Sequence, residues 1–195
     1  MIAAEKILGA EKLFDEEAFL ERIHVKKDSR RAPKILDVVA AAKPHLHPAA
    51  LYCPAEVQVI DGMSFTVAGI PFSSREVLTR LGKASQVFPN IVTCGQEIET
   101  YCKSRENILE QYVTMELCSY GCELARAAMR EDMAGRYGLK AFVELFPGEG
   151  DWPLDQGRQI FELFAGETGS LEISMSDRGL PSPTRTAYGF ILGER

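Results

Sequence analysis

The spacing of apolar residues changes along the chain, and each change predicts a different kind of element. Residues from about 10 to 43 repeat their apolar positions at helical spacing, and Asp28-Ser29 is suited to cap a second helix within this run. We therefore predict an N-terminal helical segment over 1–50 and an α+β domain over 51–195, the two forming one compact unit.

After the helical segment the apolar residues alternate, which is typical of strands. Residues 57–60 and 63–67 flank an Asp-Gly dipeptide and predict two strands joined by a two-residue hairpin turn. Residues 86–94 form another apolar run, but Pro89 has no N–H to donate to a neighbouring strand. That strand is therefore expected at a sheet edge or at a bulge.

The longest helical stretch runs from about 96 to 136, with a candidate break near Ser104. Glu116 and Glu123 are seven positions apart, two helical turns, and so share one strip of this helix. Either both lie at the solvent border, or Glu123 reaches into a polar pocket and holds a ligand hydroxyl or amine. A second strip consists of mostly small residues and predicts close packing against a sheet: Cys118, Gly121, Cys122, Ala125 and Ala128 or Met129.

The last third of the chain returns to β structure. Residues 139–146 are predicted as a strand, 154–164 as a helix, and 171–175 and 186–192 as the final strands. Strands and helices thus occur in clumps and not in strict βαβ alternation. We predict an α+β fold with a bent, mainly antiparallel sheet packed with a long central helix and N-terminal helices.

The segment 146–153, called the 146–153 loop, joins a predicted strand to a predicted helix and contains the only tryptophan. Pro147-Gly148 is a turn pair, and Gly150 tolerates a positive φ. Two interpretations remain open. The segment is either a structural turn with Trp152 packed beneath it, or a binding loop whose backbone N–H groups receive a ligand at close range.

Composition limits the classes of partner. The 195-residue chain is 46% hydrophobic, enough for a sizeable core, and 28 acidic against 22 basic residues give a net charge of −6. Because there is no basic block, we expect no nucleic-acid partner. The apolar runs are shorter than the ~20 residues that span a bilayer, and the amino terminus lacks a signal peptide's apolar core, so we expect no membrane association and a cytoplasmic location.

Local chemistry by itself leaves the function open. The five cysteines are expected to be reduced, and Cys118 and Cys122 suit either small buried positions or two ligands of a metal. His45 and His47 either lie in a Pro-flanked loop or share a metal, without a further ligand nearby in sequence. We predict no metal site and no catalytic residue, because phosphate-binding, hydrolase and metalloprotease motifs are absent from the sequence.

Several segments, taken in order, resemble the activation (reactivation) domain family of vitamin B12-dependent methionine synthase and its stand-alone bacterial relatives. Residues 147–154, Pro-Gly-Glu-Gly-Asp-Trp-Pro-Leu, are similar to that family's Pro-Gly-Tyr…Asp-Trp-Pro-Leu segment. Residues 92–99, Val-Thr-Cys-Gly-Gln-Glu-Ile-Glu, are similar to its Thr-x-Gly-x-x-(Ile/Leu)-Glu segment. Residues 180–184 and 188–193 are similar to its final Leu-Pro-x-x-Ser turn and glycine-ending strand, and the small-residue helix is similar to its central helix. The resemblance covers about 50–193 and lies in the order of these motifs.

The resemblance implies a domain that binds S-adenosylmethionine and offers its methyl group to an oxidised cobalamin, a corrinoid held by a partner. It implies an accessory protein of methionine biosynthesis that assists reductive methylation of a B12-dependent methyltransferase. The ligand groove would run along residues 144–150, with the ligand amino group near Glu123. The implied ligand-binding residues are Glu123, Glu144, Phe146, Pro147, Gly148, Glu149, Gly150, Trp152 and Tyr188.

Two positions depart from the family pattern. Ligand-binding members read Arg-x-x-x-Gly-Tyr where this chain has Glu144, Gly148 and Glu149, so a carboxylate replaces the arginine that would clamp the ligand carboxylate. Two like charges ~4 Å apart repel by about 4 kcal/mol at an effective dielectric of 20, which predicts weak, absent or altered ligand binding.

Two other functions are therefore weighed beside the first. One is a docking or chaperone module for a corrinoid protein that has lost ligand binding. The other is an enzyme acting on a different small molecule, with Glu123 or Glu149 as acid or base. Because the chain has no Asp-x-His-x-x-Gly motif, any corrinoid is expected on a partner protein.

Overall fold

The computed structural model describes residues 4–82, 84 and 86–194, and over these residues the chain forms strands, six α-helices and short 3-10 turns. The helices are α1 (Glu16–Arg22), α2 (Ala32–Ala42), α3 (Arg75–Leu81), α4 (Gln96–Lys103), α5 (Ile108–Tyr137) and α6 (Gly157–Leu163). The strands are β1 (Glu5–Ile7), β2 (Ala49–Tyr52), β3 (Val57–Val59), β4 (Ser64–Val67), β5 (Ile70–Ser73), β6 (Gln86–Thr93), β7 (Ala141–Leu145), β8 (Ser174–Met175), β9 (Pro181–Ser182) and β10 (Thr186–Glu194).

All pairings between these strands are antiparallel. Five strands form the main sheet in the order β1-β2-β6-β10-β7, β3-β4-β5 form a smaller sheet, and β8 and β9 form a two-stranded ribbon. The predicted α+β fold with a mainly antiparallel sheet and a long central helix is confirmed.

Buried side chains form three cores around the main sheet. The α6-side core contains Leu145, Trp152, Ile160 and Phe190, together with side chains of the smaller sheet and α3. The α5-side core covers the opposite face, because alternate residues of a strand point to opposite sides. The helical core joins α1, α2, α4 and α5.

The N-terminal segment contributes to both the helical core and the main sheet. Asp15 caps α1 by accepting from the Ala18 N–H at 2.7 Å. Helix α2 begins after Arg31 without a side-chain cap, so the predicted cap at Asp28-Ser29 is wrong. Strand β1 pairs with β2, and residues on both sides of position 50 therefore belong to one sheet.

Strand β6 lies between β2 and β10, at the centre of the main sheet. The prediction that Pro89 marks an edge or bulge is therefore wrong. Pro89 faces Cys53, one residue beyond the end of β2, and its carbonyl accepts from the Cys53 N–H at 3.3 Å. A central strand tolerates this proline because the partner strand has just ended where a proline N–H would have been needed.

The predicted hairpin is present as β3 and β4, but four residues, 60–63, connect the strands and not two. The N–H groups of Ile60 and Asp61 both donate to the Ser64 carbonyl. Asp61 Oδ1 in turn accepts from the N–H groups of Met63 and Ser64, at 2.8 and 2.7 Å. This side-chain bonding holds a longer loop than the Asp-Gly pattern alone predicts.

Three short strands were not predicted from the sequence. Strands β1, β2 and β5 have three or four residues each, and all four residues of β2 are buried. The strand predicted over 171–175 is confirmed only at its end, because a 3-10 turn ends at Leu171 and β8 covers Ser174–Met175.

Helix α5 is 30 residues long and begins at an Asn107 cap, whose side chain accepts from the Leu109 N–H. The break predicted near Ser104 is confirmed, since α4 ends at Lys103. At Gly121 a Cβ would lie 2.7 Å from Leu46 Cδ1, so a larger residue would require this buried leucine side chain to shift. Neither α5 nor any other helix of the described residues is long and apolar enough to cross a membrane.

Candidate functional site

Several backbone N–H groups of the 146–153 loop donate hydrogen bonds to carbonyl groups of the same loop. The Gly148 N–H donates to the Trp152 carbonyl at 2.8 Å, and the Glu149 N–H donates to the Phe146 carbonyl at 3.1 Å. The Trp152 N–H donates to the Glu149 carbonyl at 3.0 Å. Gly148 and Gly150 adopt φ values of 94° and 56°, which favour glycine. These three N–H groups are therefore engaged within the loop.

Asp151 fastens the loop to the start of α3. Its carboxylate accepts from the Ser74 hydroxyl and from the N–H groups of Arg75 and Glu76, at 2.9 and 3.2 Å for the two backbone groups. The hydrogen bond from Ser74 and these N–H groups lower the pKa of Asp151, because all of them favour the charged form. Ser74 also caps α3 by accepting from the Val77 N–H.

Trp152 is a core residue and is only 3% exposed. Its ring stacks on Phe190 with centroids 4.7 Å apart and meets Phe72 edge-on. Its Nε1–H donates to Gln156 Oε1 at 3.1 Å. These contacts match the first interpretation of the loop, a structural turn with the tryptophan packed beneath it.

Glu144 lies on β7 and pairs with two arginines of α5. Its Oε1 lies 2.6 Å from Arg130 Nη2, and its Oε2 lies 3.5 Å from Arg126 Nε. The Glu144 side chain is 13% exposed, so these pairs are partly shielded from water. The Arg126 guanidinium also lies over the Phe146 ring, 5.7 Å from its centroid. Two guanidinium groups face one carboxylate, and a positive charge remains beside Glu144.

Glu123 lies on α5 and pairs with an arginine of α1. Its carboxylate lies 2.6 Å from Arg22 Nη1 of α1, and Glu116 lies 3.6 Å from Arg22 Nε. The two glutamates of the predicted strip therefore bind one arginine. The Glu123 side chain is 51% exposed, which places it at the solvent border.

The implied ligand residues divide between the two faces of the main sheet. Glu144 is opposite Ile191, a residue of the α5-side core. Tyr188 is on the other face, where it meets Phe161 edge-on and where a Cβ at Gly157 would lie 2.3 Å from the tyrosine ring. Burial raises the pKa of Tyr188. Strand alternation thus brings Glu144 and Phe146 together with α5 and leaves Trp152 and Tyr188 behind the sheet.

Sequence reasoning missed the arginines that face these acids. Arg126 and Arg130 are four positions apart, and Arg130 is seven positions after Glu123, so helical spacing places all three on one side of α5. That spacing is a usable signal for their clustering. Their pairing with Glu144 is not visible in the sequence, because it depends on how β7 docks on the helix.

Two of the segments that resemble the family, 92–99 and 180–184, are joined by hydrogen bonds of Glu99. This residue is 5% exposed, and its Oε2 accepts from both the N–H and the hydroxyl of Thr184. Its Oε1 accepts from Lys103 Nζ. Burial opposes the charged form of Glu99, but the bonds from Lys103 and Thr184 together lower its pKa. Glu99 therefore ties the start of α4 to the turn before β10.

Both histidines of the Pro-flanked segment face Glu97. The carboxylate lies 3.3 Å from His47 Nε2 and 3.8 Å from His45 Nδ1, beside a cavity of about 570 Å³. Among the residues that the structure describes, no group of three or more His, Cys, Asp or Glu side chains could hold a metal ion.

In this domain the long helix α5 packs on the antiparallel main sheet. Two arginines of α5 lie beside β7, the edge strand of that sheet. No protein-family model matches the chain, and a search of curated proteins finds no match. Among solved structures, the chain is similar to the crystal structure of the MetH reactivation domain bound to AdoHcy, with a TM-score of 0.61 and 11% identity. The match covers 98% of this chain and 78% of that chain. The protein therefore has the fold of the MetH reactivation domain.

Proposed function

We propose that this protein is an accessory domain of a corrinoid-dependent methyltransferase system and holds S-adenosylmethionine for reductive methylation of the corrinoid. The observation that carries the proposal is the fold, which is shared over 98% of the chain with a reactivation domain bound to AdoHcy. The corrinoid is held by a partner protein, and the protein supplies mainly the position of the reactive methyl group. We place this system in the cytoplasm.

The proposed ligand lies along the 146–153 loop, on the α5 side of β7. The positive charge that remains beside Glu144 supports a ligand carboxylate at Arg126 or Arg130 in place of the family's loop arginine. Phe146 offers a ring face. In this arrangement Trp152 and Tyr188 support the loop from behind and do not touch the ligand.

Calorimetric titration with S-adenosylmethionine and with S-adenosylhomocysteine tests the proposal. We expect binding at millimolar ligand or tighter, and stronger binding of the sulfonium form if Glu123 and Glu149 contribute. The Arg130→Gln variant should weaken binding, whereas Arg178→Gln, an exposed arginine of the β8–β9 connection, should not. No heat and no thermal shift at millimolar ligand would contradict ligand binding.

A second candidate function is a docking module that keeps the fold and does not bind the ligand. This candidate is favoured because the polar groups near the loop already bind other groups of the same chain. Glu144 and Glu123 pair with arginines of the same chain, and the N–H groups of Gly148, Glu149 and Trp152 are bonded to loop carbonyls. A ligand would have to displace these contacts.

Binding to a corrinoid protein, measured with and without S-adenosylmethionine, separates the two candidates. If S-adenosylmethionine strengthens the association with the corrinoid protein, the first candidate function is supported. If the association is the same with and without the ligand, and calorimetry shows no ligand binding, the second candidate function is supported. The Glu149→Tyr variant restores the family's aromatic residue and should create binding if only that side chain is missing. It is a cleaner test than Glu144→Arg, which would place a third cation beside Arg126 and Arg130.

A further inference from the structure

Three large apolar side chains are exposed along one strip of α5. Ile108 is 83% exposed, and Tyr112 and Met115 are exposed as well. Because these residues are four and three positions apart, they lie on one face over two helical turns, and we call them the α5 strip. Val113 and Leu117 of the same helix are buried in the helical core. The α5 strip therefore faces away from that core.

Three cations lie beside the α5 strip and are called the α2 cations. They line a cavity of about 350 Å³ between the start of α2 and the start of α5, and the complete lining consists of Arg30, Arg31, Lys34, Ile35 and Leu109. Leu109 belongs to the first turn of α5, as does the first residue of the α5 strip. The cavity therefore adjoins the strip.

The α2 cations differ from nearby basic residues in their ion pairing. Lys27 pairs with Glu17, and Arg22 pairs with Glu123. Within the part of the chain that the structure describes, no ion pair involves an α2 cation. Cations without internal partners are available to an external carboxylate, and arginine can hold a carboxylate through two hydrogen bonds. The surface thus combines apolar side chains with positive charge.

We propose that the α5 strip and the α2 cations together bind an acidic amphipathic helix of a partner protein. The apolar face of that helix packs along the α5 strip, and its Asp or Glu side chains pair with the α2 cations. A helix is the favoured occupant because its side chains repeat at the same interval as those of the α5 strip. The positive charge of the α2 cations favours an acidic helix.

Two other occupants fit this surface less well. An anionic membrane surface would be opposed by the rest of the chain, whose net charge is −6. A second copy of the chain, bound symmetrically about the α5 strip, would bring the α2 cations of both copies towards each other.

The proposed docking surface lies apart from the proposed ligand groove. Met115 and Arg126 are eleven positions apart, which is about 16 Å along α5 at 1.5 Å per residue. The inference is therefore independent of the proposed function. Changes in the α5 strip should leave any binding of S-adenosylmethionine unchanged.

Fluorescence anisotropy with designed, labelled peptides tests the inference. The acidic peptide has about 18 residues, long enough to form a helix, with Leu at i, i+4 and i+7 spacing on one face and Glu beside that face. A second peptide has Lys in place of each Glu, and a third has the composition of the acidic peptide in scrambled order. We expect saturable binding of the acidic peptide below about 1 mM, weakened by salt, and weaker binding of the other two.

Variants of the full chain assign the binding surface. Ile108→Ser should weaken binding of the acidic peptide about tenfold, because it removes an apolar contact at the interface. The double variant Arg31→Glu/Lys34→Glu should weaken binding of the acidic peptide and strengthen binding of the lysine peptide, which a loss of fold would not do. Leu180→Ser and Arg178→Glu are the matched controls at exposed positions of the β8–β9 connection and should leave binding unchanged.

Circular dichroism verifies that each variant is folded. No binding of the acidic peptide up to about 1 mM, or equal binding of all three peptides, would overturn the inference. So would acidic-peptide binding that neither Ile108→Ser nor the charge reversal changes. Cosedimentation with phosphatidylserine vesicles that Ile108→Ser abolishes would assign the surface to a membrane instead, and self-association in analytical ultracentrifugation that Ile108→Ser abolishes would assign it to a second copy.

Discussion

Replacing Trp152 with alanine tests whether the 146–153 loop is built on the core. The side chain is 3% exposed, stacks on Phe190 at 4.7 Å, and donates to Gln156 at 3.1 Å. Truncation of a buried aromatic side chain typically costs ~3–5 kcal/mol, because transfer energy is lost and a cavity remains. Trp152→Phe keeps a stacking ring and loses the hydrogen bond and part of the volume, so we expect a cost of about 1–2 kcal/mol.

The assay is urea unfolding followed by far-ultraviolet circular dichroism, since both variants lack the only tryptophan. Leu154→Ala is the control, because this neighbouring side chain is 64% exposed and should cost less than about 0.5 kcal/mol. In the wild type, the fluorescence of Trp152 should be protected from quenching by iodide. A cost below about 1 kcal/mol for Trp152→Ala, or free quenching, would refute a core role for this residue.

Three further predictions concern backbone space, an ion pair and pH. Gly189→Ala should destabilise the protein by about 1–3 kcal/mol, because its Cβ would lie 2.1 Å from the Leu145 carbonyl oxygen, whereas Gly135→Ala, with open space on α5, should stabilise it by up to about 1 kcal/mol. Glu144→Gln should cost about 1 kcal/mol at low ionic strength by removing the pairs with α5, and the cost should shrink in salt. The lowered pKa of Glu99 contributes stability that is present above its unfolded value near 4.5 and is lost as the pH falls through the lower folded value. Glu99→Gln should therefore destabilise the protein at neutral pH, with a difference from wild type that narrows in acid.

Denaturant unfolding at several salt concentrations and pH values gives the free energy of unfolding that tests all three predictions. Equal effects of the two glycine variants would show that β10 and β7 can separate without cost. An effect of Glu144→Gln that is the same at low and high salt would assign the loss to packing and not to charge. A Glu99→Gln difference that widens in acid would contradict a lowered pKa of Glu99 in the folded protein.

Glu144 shows how far sequence reasoning reached and where it stopped. From the sequence, an acid in place of an arginine predicts repulsion of a ligand carboxylate. In the structure the same acid binds Arg126 and Arg130 of α5. The identity of the residue was visible in the sequence, but its electrostatic effect depends on a helix that docks beside it.

The elements predicted well are those with long or strongly periodic patterns. Helix α5, the β3–β4 hairpin and β10 each carry many residues or a clear alternation, and local periodicity alone was sufficient to find them. Strands β1, β2 and β5 were missed, and β2 shows no alternation because all four of its residues are buried. Their strand conformation is stabilised by pairing with residues far away in the chain.

The sequence by itself determined the α+β class, the long central helix and the turn-rich loop around Trp152, because these depend on residues that are close together along the chain. Only the tertiary structure decided that Pro89 lies in a central strand, and that Glu144 faces arginines while Tyr188 faces the opposite core. The physical reason is that strand order, sheet face and helix docking are set by burial and hydrogen bonding between distant segments, which local patterns do not specify.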